Sequence, residues 1–242
     1  MFTGEYAQLY DLFHAKKDYR SEINQIISVL DFEEISGLTG FDFGCGTGVH
    51  ASEFFNCGVK VDGYDISQDM LLVARHKYPN LIFSNNLDDL GSNYDFTYSL
   101  FDVISYQTTT EAAKNLIKSL YLKTRPGGYS LVDSWNSNGV RIDPPKLNER
   151  EVIWNSRGIK RQVIPDLSQA DSDIYKLSID LLETESKKIL KAETHVLRAW
   201  SPEQILEMMD RVGFKEMRLY NPSNPDLEFK PSDWRFGVRA KR

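Results

Sequence analysis

Residues 41–48 read FDFGCGTG, a short apolar run that leads directly into three glycines at alternate positions. The residues that follow, up to about position 57, have the spacing of a helix. Glycine lets a backbone turn tightly and approach a ligand closely, and the N-terminus of a helix offers free N–H groups. The stretch therefore predicts a strand, a ligand-binding turn and a helix in succession. The alternative for the same glycines is a tight turn that binds nothing.

A second strand-like run, VKVDGY at 59–64, ends in Asp65, about 20 residues beyond Gly44. A carboxylate at that spacing can accept hydrogen bonds from both hydroxyls of a ribose. The glycine loop, the helix and this acid together predict a nucleoside-containing cofactor. A dinucleotide fingerprint requires Gly or Ala where this chain has Val49, and no Gly-Lys-Ser/Thr triphosphate motif follows. These departures disfavour a dinucleotide oxidoreductase and a nucleoside triphosphatase.

Helical and strand-like segments alternate along the first part of the chain. The predicted helices lie at 18–31, 48–57, 67–76 and 110–124, and the predicted strands at 40–43, 59–64, 81–84, 95–100 and 129–134. This alternation predicts an α/β fold of the doubly wound, Rossmann-like type with a mostly parallel sheet. The Arg125-Pro126-Gly127-Gly128 sequence marks a stop between the last helix and the last strand of this series.

The pattern changes after residue 148. Over 148–200 apolar and polar residues alternate, as in 174–181, which predicts an antiparallel β insert covering the open end of the sheet. Ser201-Pro202-Glu203-Gln204 then predicts a capped helix, and strand-like runs at 214–220 and 234–240 are expected to complete the sheet.

Composition excludes several function classes. The 35 acidic against 29 basic residues give a net charge of −6, which argues against binding to nucleic acid or an anionic membrane. Two cysteines, Cys45 and Cys57, favour a reducing cytoplasm over an oxidising compartment. The N-terminus lacks the features of a signal peptide, and no stretch approaches the roughly 20 apolar residues of a membrane span.

With these motifs the sequence resembles the class I S-adenosylmethionine-dependent methyltransferases over most of its length. The resemblance implies S-adenosyl-L-methionine as cofactor, with the glycine loop beside its methionine and ribose parts, Asp65 on the ribose, and Ile66 and Met70 along the adenine. The full set of cofactor-binding residues that it implies is Tyr10, Tyr19, Gly44, Cys45, Gly46, Gly48, Asp65, Ile66, Met70, Asn86, Leu87 and Phe101.

Three segments, YAQLYD at 6–11, KDYRSE at 17–22 and HVLRAWS at 195–201, resemble the small-molecule subgroup that includes the N,N-dimethyltransferases of nucleotide-linked amino sugars. In that subgroup N-terminal tyrosines close over the cofactor. The expected layout is one methyltransferase domain over 1–242, with an N-terminal lid and helix at 1–35 and a cofactor-binding core at 36–135. The antiparallel insert at 148–200 and the C-terminal helix and strands at 201–242 complete it.

The resemblance implies methyl transfer to a nitrogen or oxygen of a small polar metabolite, with an amino sugar or nucleotide sugar as the expected acceptor. An O-methyltransferase of another small acid or secondary metabolite, and a non-catalytic module that binds the cofactor, remain alternatives. The protein is expected to act on a small molecule, without nucleic acid or membrane, either alone or as a homodimer.

The acceptor side is expected at the ends of the fourth and fifth strands, because ligands of open parallel sheets sit outside the carboxyl ends of the strands. Tyr106, Trp135 and Arg198 are the predicted substrate-binding residues and His195 the predicted general base. A structural hydrogen bond is the alternative role for His195. No histidine has a Cys or His partner at metal-ligand spacing, so no metal is expected. A basic run over 146–161 is either a phosphate-binding patch or a solvated strand face.

Overall fold

The structure is a computed structural model that describes residues 4–225 and 227–242. Its α-helices are α1 (Glu5–Phe13), α2 (Tyr19–Leu30), α3 (Val49–Asn56), α4 (Gln68–Lys77), α5 (Thr110–Lys123), α6 (Ser137–Ile142) and α7 (Pro202–Val212). Its strands are β1 (Thr39–Phe43), β2 (Lys60–Tyr64), β3 (Phe83–Ser84), β4 (Tyr94–Ser99), β5 (Thr124–Trp135), β6 (Asn148–Trp154), β7 (Arg157–Asp166), β8 (Ile174–Glu183), β9 (Ile189–Arg198), β10 (Lys215–Tyr220) and β11 (Arg235–Lys241).

Seven strands form the central sheet in the order β10-β11-β5-β4-β1-β2-β3. The five neighbouring strands β5, β4, β1, β2 and β3 pair in parallel. Strand β11 lies between β5 and β10 and is antiparallel to both. The predicted Rossmann-like fold with a mostly parallel sheet is confirmed. In such a sheet the carboxyl ends of β1, β2, β4 and β5 lie at one edge, where a ligand site is expected.

Helices cover both faces of this sheet, because successive residues of a buried strand point to opposite sides. Leu131 of β5 packs in a core cluster with residues of α2, α3 and α4. Val132, the next residue, packs in a second cluster with residues of α5 and α7. The strands of this sheet are therefore buried on both sides.

The insert is an antiparallel four-stranded sheet in the order β6-β7-β8-β9. The alternation seen in the sequence sets its two faces: Tyr175, Ile179 and Leu181 are buried, whereas Ser178 is exposed. The predicted antiparallel layer is thus confirmed, and it lies at the edge of the cavity described below.

The N-terminal segment contains a helix that the sequence pattern did not predict. Tyr6, Leu9 and Phe13 of α1 pack against Ile159 and Ile179 of the insert. The start of α1 is held against α4, where the Gly4 N–H donates to the Asp69 carboxylate at 2.8 Å. Residues 1–3 of the expected lid lie outside the described residues.

Local signals set most helix ends as predicted. Asp18 caps α2 by accepting from the Ser21 N–H, and Ser201 with Gln204 forms the capping box of α7. The expected stop at 125–128 is only half correct. The helix ends at Lys123, but β5 already begins at Thr124. Within the expected stop, the Gly127 N–H donates to the Arg242 carbonyl at 2.7 Å, so the chain's C-terminus pairs with this segment.

Among the described residues, none of the helices has the length and apolar character needed to span a bilayer.

Candidate active site

A cavity of about 390 Å³ opens at the carboxyl ends of β1, β2 and β4 and continues beneath α1 and the insert. This volume lies in the range of small-molecule sites. The predicted residues that it brings together are Tyr10, Tyr19, Gly44, Cys45, Gly46, Asp65, Ile66, Met70, Phe101, Tyr106, Trp135 and His195. We call the part around residues 44–47 and 65–70 the cofactor end, and the part around Tyr106, Trp135 and His195 the acceptor end.

The glycine loop, residues 44–48, is held against β2 by its own backbone. The N–H groups of Gly44 and Cys45 both donate to the Tyr64 carbonyl, at 2.7 and 3.0 Å. Gly44 has φ 93°, and a Cβ there would lie 2.5 Å from the Val103 side chain, so only glycine fits. At Gly46, with φ 53°, no atom lies within 4 Å of the place a Cβ would take, because the cavity begins there.

Asp65 connects the glycine loop to the start of α4. Its Oδ2 accepts from the Gly46 N–H and its Oδ1 from the Ser67 N–H, each at 2.8 Å. Burial raises the pKa of this carboxyl, against the two backbone N–H groups, which lower it. A carboxylate oxygen accepts more than one hydrogen bond, so both oxygens can also take a hydroxyl from the cavity side.

The wall beyond Asp65 is apolar. Ile66 is 79% exposed, and it borders the cavity together with the buried Met70. An exposed apolar side chain at the mouth of a cavity is suited to a flat, uncharged ring.

Asp42 of β1, two residues before Gly44, carries a buried carboxyl. Asp42 is 3% exposed, lines the cavity, and its Oδ2 makes no hydrogen bond of acceptable geometry with any described residue, although the Tyr98 hydroxyl lies near it. Burial raises the pKa of this group well above its usual range. Because a buried carboxyl without a good partner is costly, this atom is a natural acceptor for a cationic or N–H group of a ligand.

The loop after β4 is strained and held by an ionic network. Phe101 and Asp102 both have left-handed backbones, with φ 63° and 64°. Asp133 accepts from both of their N–H groups, at 3.1 and 2.7 Å, and Arg235 donates to Asp102 at 2.8 Å and to Asp133 at 2.7 Å. Burial raises the pKa of Asp102 to about 6, although the Arg235 charge opposes this. The network presents the Phe101 ring to the cavity, with the Lys17 ammonium 3.8 Å from the ring centre.

α1 closes the cavity from above. The Asp11 carboxylate accepts from the Thr47 hydroxyl of the glycine loop and from the Lys77 ammonium at the end of α4, each at 2.6 Å. Tyr10 and Tyr19 then border the cavity from the N-terminal side. Asp11 is the residue that ties α1 to the glycine loop.

The acceptor end is aromatic with one buried hydrogen-bonded chain. His195 is 1% exposed, and its Nδ1 lies 2.9 Å from the Tyr106 hydroxyl, while its Nε2 lies 3.1 Å from a carboxylate oxygen of Glu193. Burial lowers the pKa of His195, and Glu193 opposes this. Arg161 of β7 also borders the cavity, and its Nε donates to the Tyr6 hydroxyl at 2.7 Å.

Four predicted site residues do not line the cavity. Gly48 caps α3 at φ 79°, where a Cβ would meet the Phe83 ring at 2.7 Å. Asn86 is exposed and caps the short 3₁₀ helix Leu87–Asp89 by accepting from the Asp88 N–H, whereas Leu87 is half-buried and packs against the core cluster of α5 and α7. Arg198 donates to the Thr108 carbonyl at 3.3 Å and stacks 3.9 Å above the Trp200 ring.

The basic run over 146–161 is divided by strand geometry. Lys146, Arg157 and Lys160 pair with acidic side chains at the surface. Arg150 donates to the Phe13 carbonyl at 2.9 Å, and only Arg161 of this group borders the cavity.

The sequence patterns did not single out Tyr6, Asp42 or Glu193, and they included Arg161 only as one member of the basic run over 146–161. Asp42 lies within the glycine motif and carries a recognisable signal, an acid inside an apolar strand. The other three are brought to the cavity by the packing of α1 and the insert, which no local pattern indicates.

Comparisons with known proteins show which proteins this chain is similar to. A methyltransferase domain model matches residues 41–128. The dTDP-3-amino-3,4,6-trideoxy-alpha-D-glucopyranose N,N-dimethyltransferase of Streptomyces venezuelae is 29% identical over 140 residues, 56% of this chain and 59% of that protein. The dTDP-3-amino-3,6-dideoxy-alpha-D-glucopyranose N,N-dimethyltransferase of Streptomyces fradiae is 26% identical over 139 residues, 55% of this chain and 54% of that protein. The matched segments thus span little more than half of these curated relatives.

Solved structures are similar over nearly the whole chain. The sugar N-methyltransferase KedS8 from Streptoalloteichus sp ATCC 53650 has a TM-score of 0.78 at 20% identity, covering 96% of this chain and 92% of that one. Streptomyces venezuelae DesVI has a TM-score of 0.76 at 20% identity, covering 99% of both chains. At these identities the likeness shows the fold.

Residues 41–128 therefore match a methyltransferase domain, and the chain has the fold of the class I S-adenosylmethionine-dependent methyltransferases. The predicted resemblance to that class is confirmed, and so is the finer resemblance to the subgroup that includes the amino-sugar N,N-dimethyltransferases.

Proposed function

We propose that this protein is an enzyme that transfers a methyl group from S-adenosyl-L-methionine to the amine of a small sugar-like metabolite. The observation that carries the proposal is a single cavity that joins an Asp65-braced glycine loop to an aromatic acceptor end. The names of the curated relatives, which are N,N-dimethyltransferases of dTDP-amino sugars, support an amine over a hydroxyl as the acceptor.

The cofactor end fits S-adenosyl-L-methionine group by group. Asp65 would hold the ribose hydroxyls, and Ile66 with Met70 would cover the adenine. The open space above Gly46 would receive the chain between ribose and sulfur. The buried Asp42 carboxyl, which borders the same end of the cavity, would accept from the cofactor's ammonium.

When bound, the cofactor supplies a methyl group on a positively charged sulfur. The work left to the protein is to orient the acceptor, exclude water and remove one proton. Helix α1 excludes water, since Asp11 ties it to the Thr47 hydroxyl and so closes the cavity over the glycine loop. Phe101, held by Asp133 and Arg235, presents an aromatic face on the same side.

The acceptor end suits a polar ring of modest size. Trp135 and Tyr106 offer flat walls, and Arg161 offers a cation to any anionic substituent of the acceptor. The negative net charge outside the cavity agrees with a small-molecule substrate rather than nucleic acid. The unpaired Cys45 and Cys57 support a cytoplasmic location, with the enzyme acting alone or as a homodimer.

The test uses S-adenosyl-L-methionine that carries a trideuterated methyl group, with a dTDP-3-amino sugar and the matching dTDP-3-hydroxy sugar as parallel acceptors. Mass spectrometry should find one or two labelled methyl groups on the amino sugar and none on the hydroxy sugar. Label on the hydroxy sugar alone would replace the proposal by O-methylation. Cofactor binding without label on any member of a broad panel of small amines and hydroxy compounds would favour a non-catalytic binding module.

A further inference from the structure

A chain of three side chains crosses the acceptor end and joins two separate parts of the fold. Tyr106 ends the short helix Val103–Tyr106 after β4, whereas His195 and Glu193 lie two residues apart on β9 of the insert. The Tyr106 hydroxyl is 2.9 Å from His195 Nδ1, and His195 Nε2 is 3.1 Å from Glu193 Oε2. Tyr106 and His195 both border the cavity.

The chemistry of these groups fixes which partner donates in each of the two hydrogen bonds. A carboxylate can only accept a hydrogen bond, so His195 Nε2 carries the proton and donates to Glu193. In a neutral imidazole the other nitrogen is then an acceptor, so the Tyr106 hydroxyl donates to Nδ1. This is the order of a catalytic triad in which the hydroxyl of a tyrosine takes the place of that of a serine.

Other charged and titratable groups face this chain from several elements. Tyr6 of α1 packs its ring 6.5 Å from the His195 ring, and Arg161 of β7 donates to the Tyr6 hydroxyl. The Asp102 carboxylate, four residues before Tyr106 in sequence, acts with burial to raise the pKa of the Tyr106 hydroxyl. The Lys191 ammonium lies 3.8 Å from the Glu193 carboxylate on the same strand. Burial lowers the pKa of His195, with Arg161 acting in the same direction and Glu193 opposing it. The neutral imidazole that the chain requires is therefore favoured at neutral pH.

We propose that Tyr106 is the catalytic residue that takes the proton from the acceptor amine, with His195 and Glu193 as positioning residues behind it. This rests on the proposed methyltransferase function. The amine arrives as an ammonium ion and must lose a proton before its lone pair can attack. The N–H bond breaks, its proton moves to the Tyr106 oxygen, and the tyrosine's own proton moves to His195 Nδ1.

The resulting imidazolium is stabilised by the Glu193 carboxylate. The nitrogen lone pair forms a bond to the methyl carbon as the carbon–sulfur bond breaks, which leaves a neutral thioether and moves the positive charge to the nitrogen of a methylammonium product. His195 returns its proton to water when the product leaves. Since both ring nitrogens of His195 lie within hydrogen-bonding distance of protein groups, the substrate meets the hydroxyl and not the imidazole.

The kinetic test compares Tyr106→Phe with Tyr175→Phe. Tyr175 is a buried tyrosine of β8 whose hydroxyl has no hydrogen-bond partner among the described residues and which does not border the cavity. With a dTDP-3-amino sugar as acceptor, Tyr106→Phe should lower kcat about 100-fold or more, with the affinity for S-adenosylhomocysteine unchanged. Tyr175→Phe should keep wild-type kcat. Equal kcat for Tyr106→Phe and wild type would remove the hydroxyl from the reaction.

A positioning role is tested by the pH profile of Glu193→Gln. Loss of the carboxylate lowers the pKa of His195, so the acidic limb of the kcat profile should move to lower pH, and the plateau should fall because the imidazole is a weaker base. A reduced kcat with an unmoved limb would assign Glu193 a purely structural role and overturn the relay.

One readout does not depend on turnover. Imidazole ¹⁵N shifts of the wild-type protein at neutral pH, with His195 assigned by its loss in His195→Gln, should show the neutral ring protonated at Nε2. A ring protonated at Nδ1 would overturn the relay whatever the enzyme's activity. Absence of methyl transfer in a protein with the expected tautomer would instead refute the proposed function.

Discussion

Asp65→Ala tests two roles of one carboxylate, its contact with the cofactor and its support of the glycine loop. The carboxylate accepts hydrogen bonds at 2.8 Å from the backbone N–H groups of Gly46 and Ser67, and Asp65 borders the cavity. Hydrogen bonds to a charged group contribute about 1.5–3 kcal/mol, so loss of the ribose contact should weaken the binding of S-adenosylhomocysteine by roughly 10- to 150-fold.

The same substitution leaves the two backbone donors without their acceptor. Each unsatisfied donor costs about 1–3 kcal/mol where water does not replace the carboxylate, so the free energy of unfolding should also fall by on the order of 2 kcal/mol. Asp65→Asn retains one oxygen acceptor but no charge, and should fall between wild type and Asp65→Ala in both measurements.

The matched control is Asp62→Asn. Asp62 lies three residues earlier on β2, is buried, accepts from the Tyr94 hydroxyl at 2.7 Å and does not border the cavity. The Asp62→Asn protein should have a lower free energy of unfolding than wild type and the same affinity for S-adenosylhomocysteine. Calorimetric titration and urea denaturation on all variants give the two quantities. An Asp65→Ala protein that folds and binds within twofold of wild type would refute the assigned role of this carboxylate.

Three further predictions concern the cover over the cavity (residues 4–20), the ionic network around Arg235 and the half-buried His14. Amide hydrogen exchange across 4–20 should slow on saturation with S-adenosylhomocysteine, and Asp11→Asn should speed exchange in the free protein; unchanged exchange in both cases would count against a closed cover. Arg235→Gln leaves the carboxylates of Asp102 and Asp133 without their cation and should reduce the free energy of unfolding by about 3–5 kcal/mol in urea, whereas a loss below about 1 kcal/mol would contradict a buried network. Burial lowers the pKa of His14 from 6.5 to about 4, so below pH 6.5 the unfolded chain binds the proton first and stability should decline as the pH falls toward 4. Urea denaturation of His14→Gln between pH 7 and pH 4 should show a shallower decline than wild type, and parallel curves would show that His14 is not the group responsible.

The cofactor end was predictable from sequence because its signals are local. The glycine loop follows β1 directly, and Asp65 ends the neighbouring strand, so strand order alone places them together. Gly48 was assigned too broadly: it shares the motif, but its position at the start of α3 makes it a helix cap. Motif membership does not by itself give contact with a ligand.

The acceptor end depends on contacts between distant segments. Tyr106 meets His195 across 89 positions of sequence, and Arg235 meets Asp133 across 102. Tyr106, Trp135 and His195, to which strand ends and a resemblance pointed, all border the cavity, and their roles stay predictions. Arg161 was not separable from its basic neighbours, since only the pairing of β6 with β7 and the position of α1 decide which of them faces inward.

Calorimetric titration of the wild-type protein with S-adenosyl-L-methionine, S-adenosylhomocysteine and NAD tests the central claim most directly. The spacing of Gly44, Gly46 and Asp65, with Val49 in place of a third dinucleotide glycine, predicts one bound molecule of either sulfur nucleoside per chain and no heat from NAD. Binding of NAD with neither sulfur nucleoside bound would contradict the account.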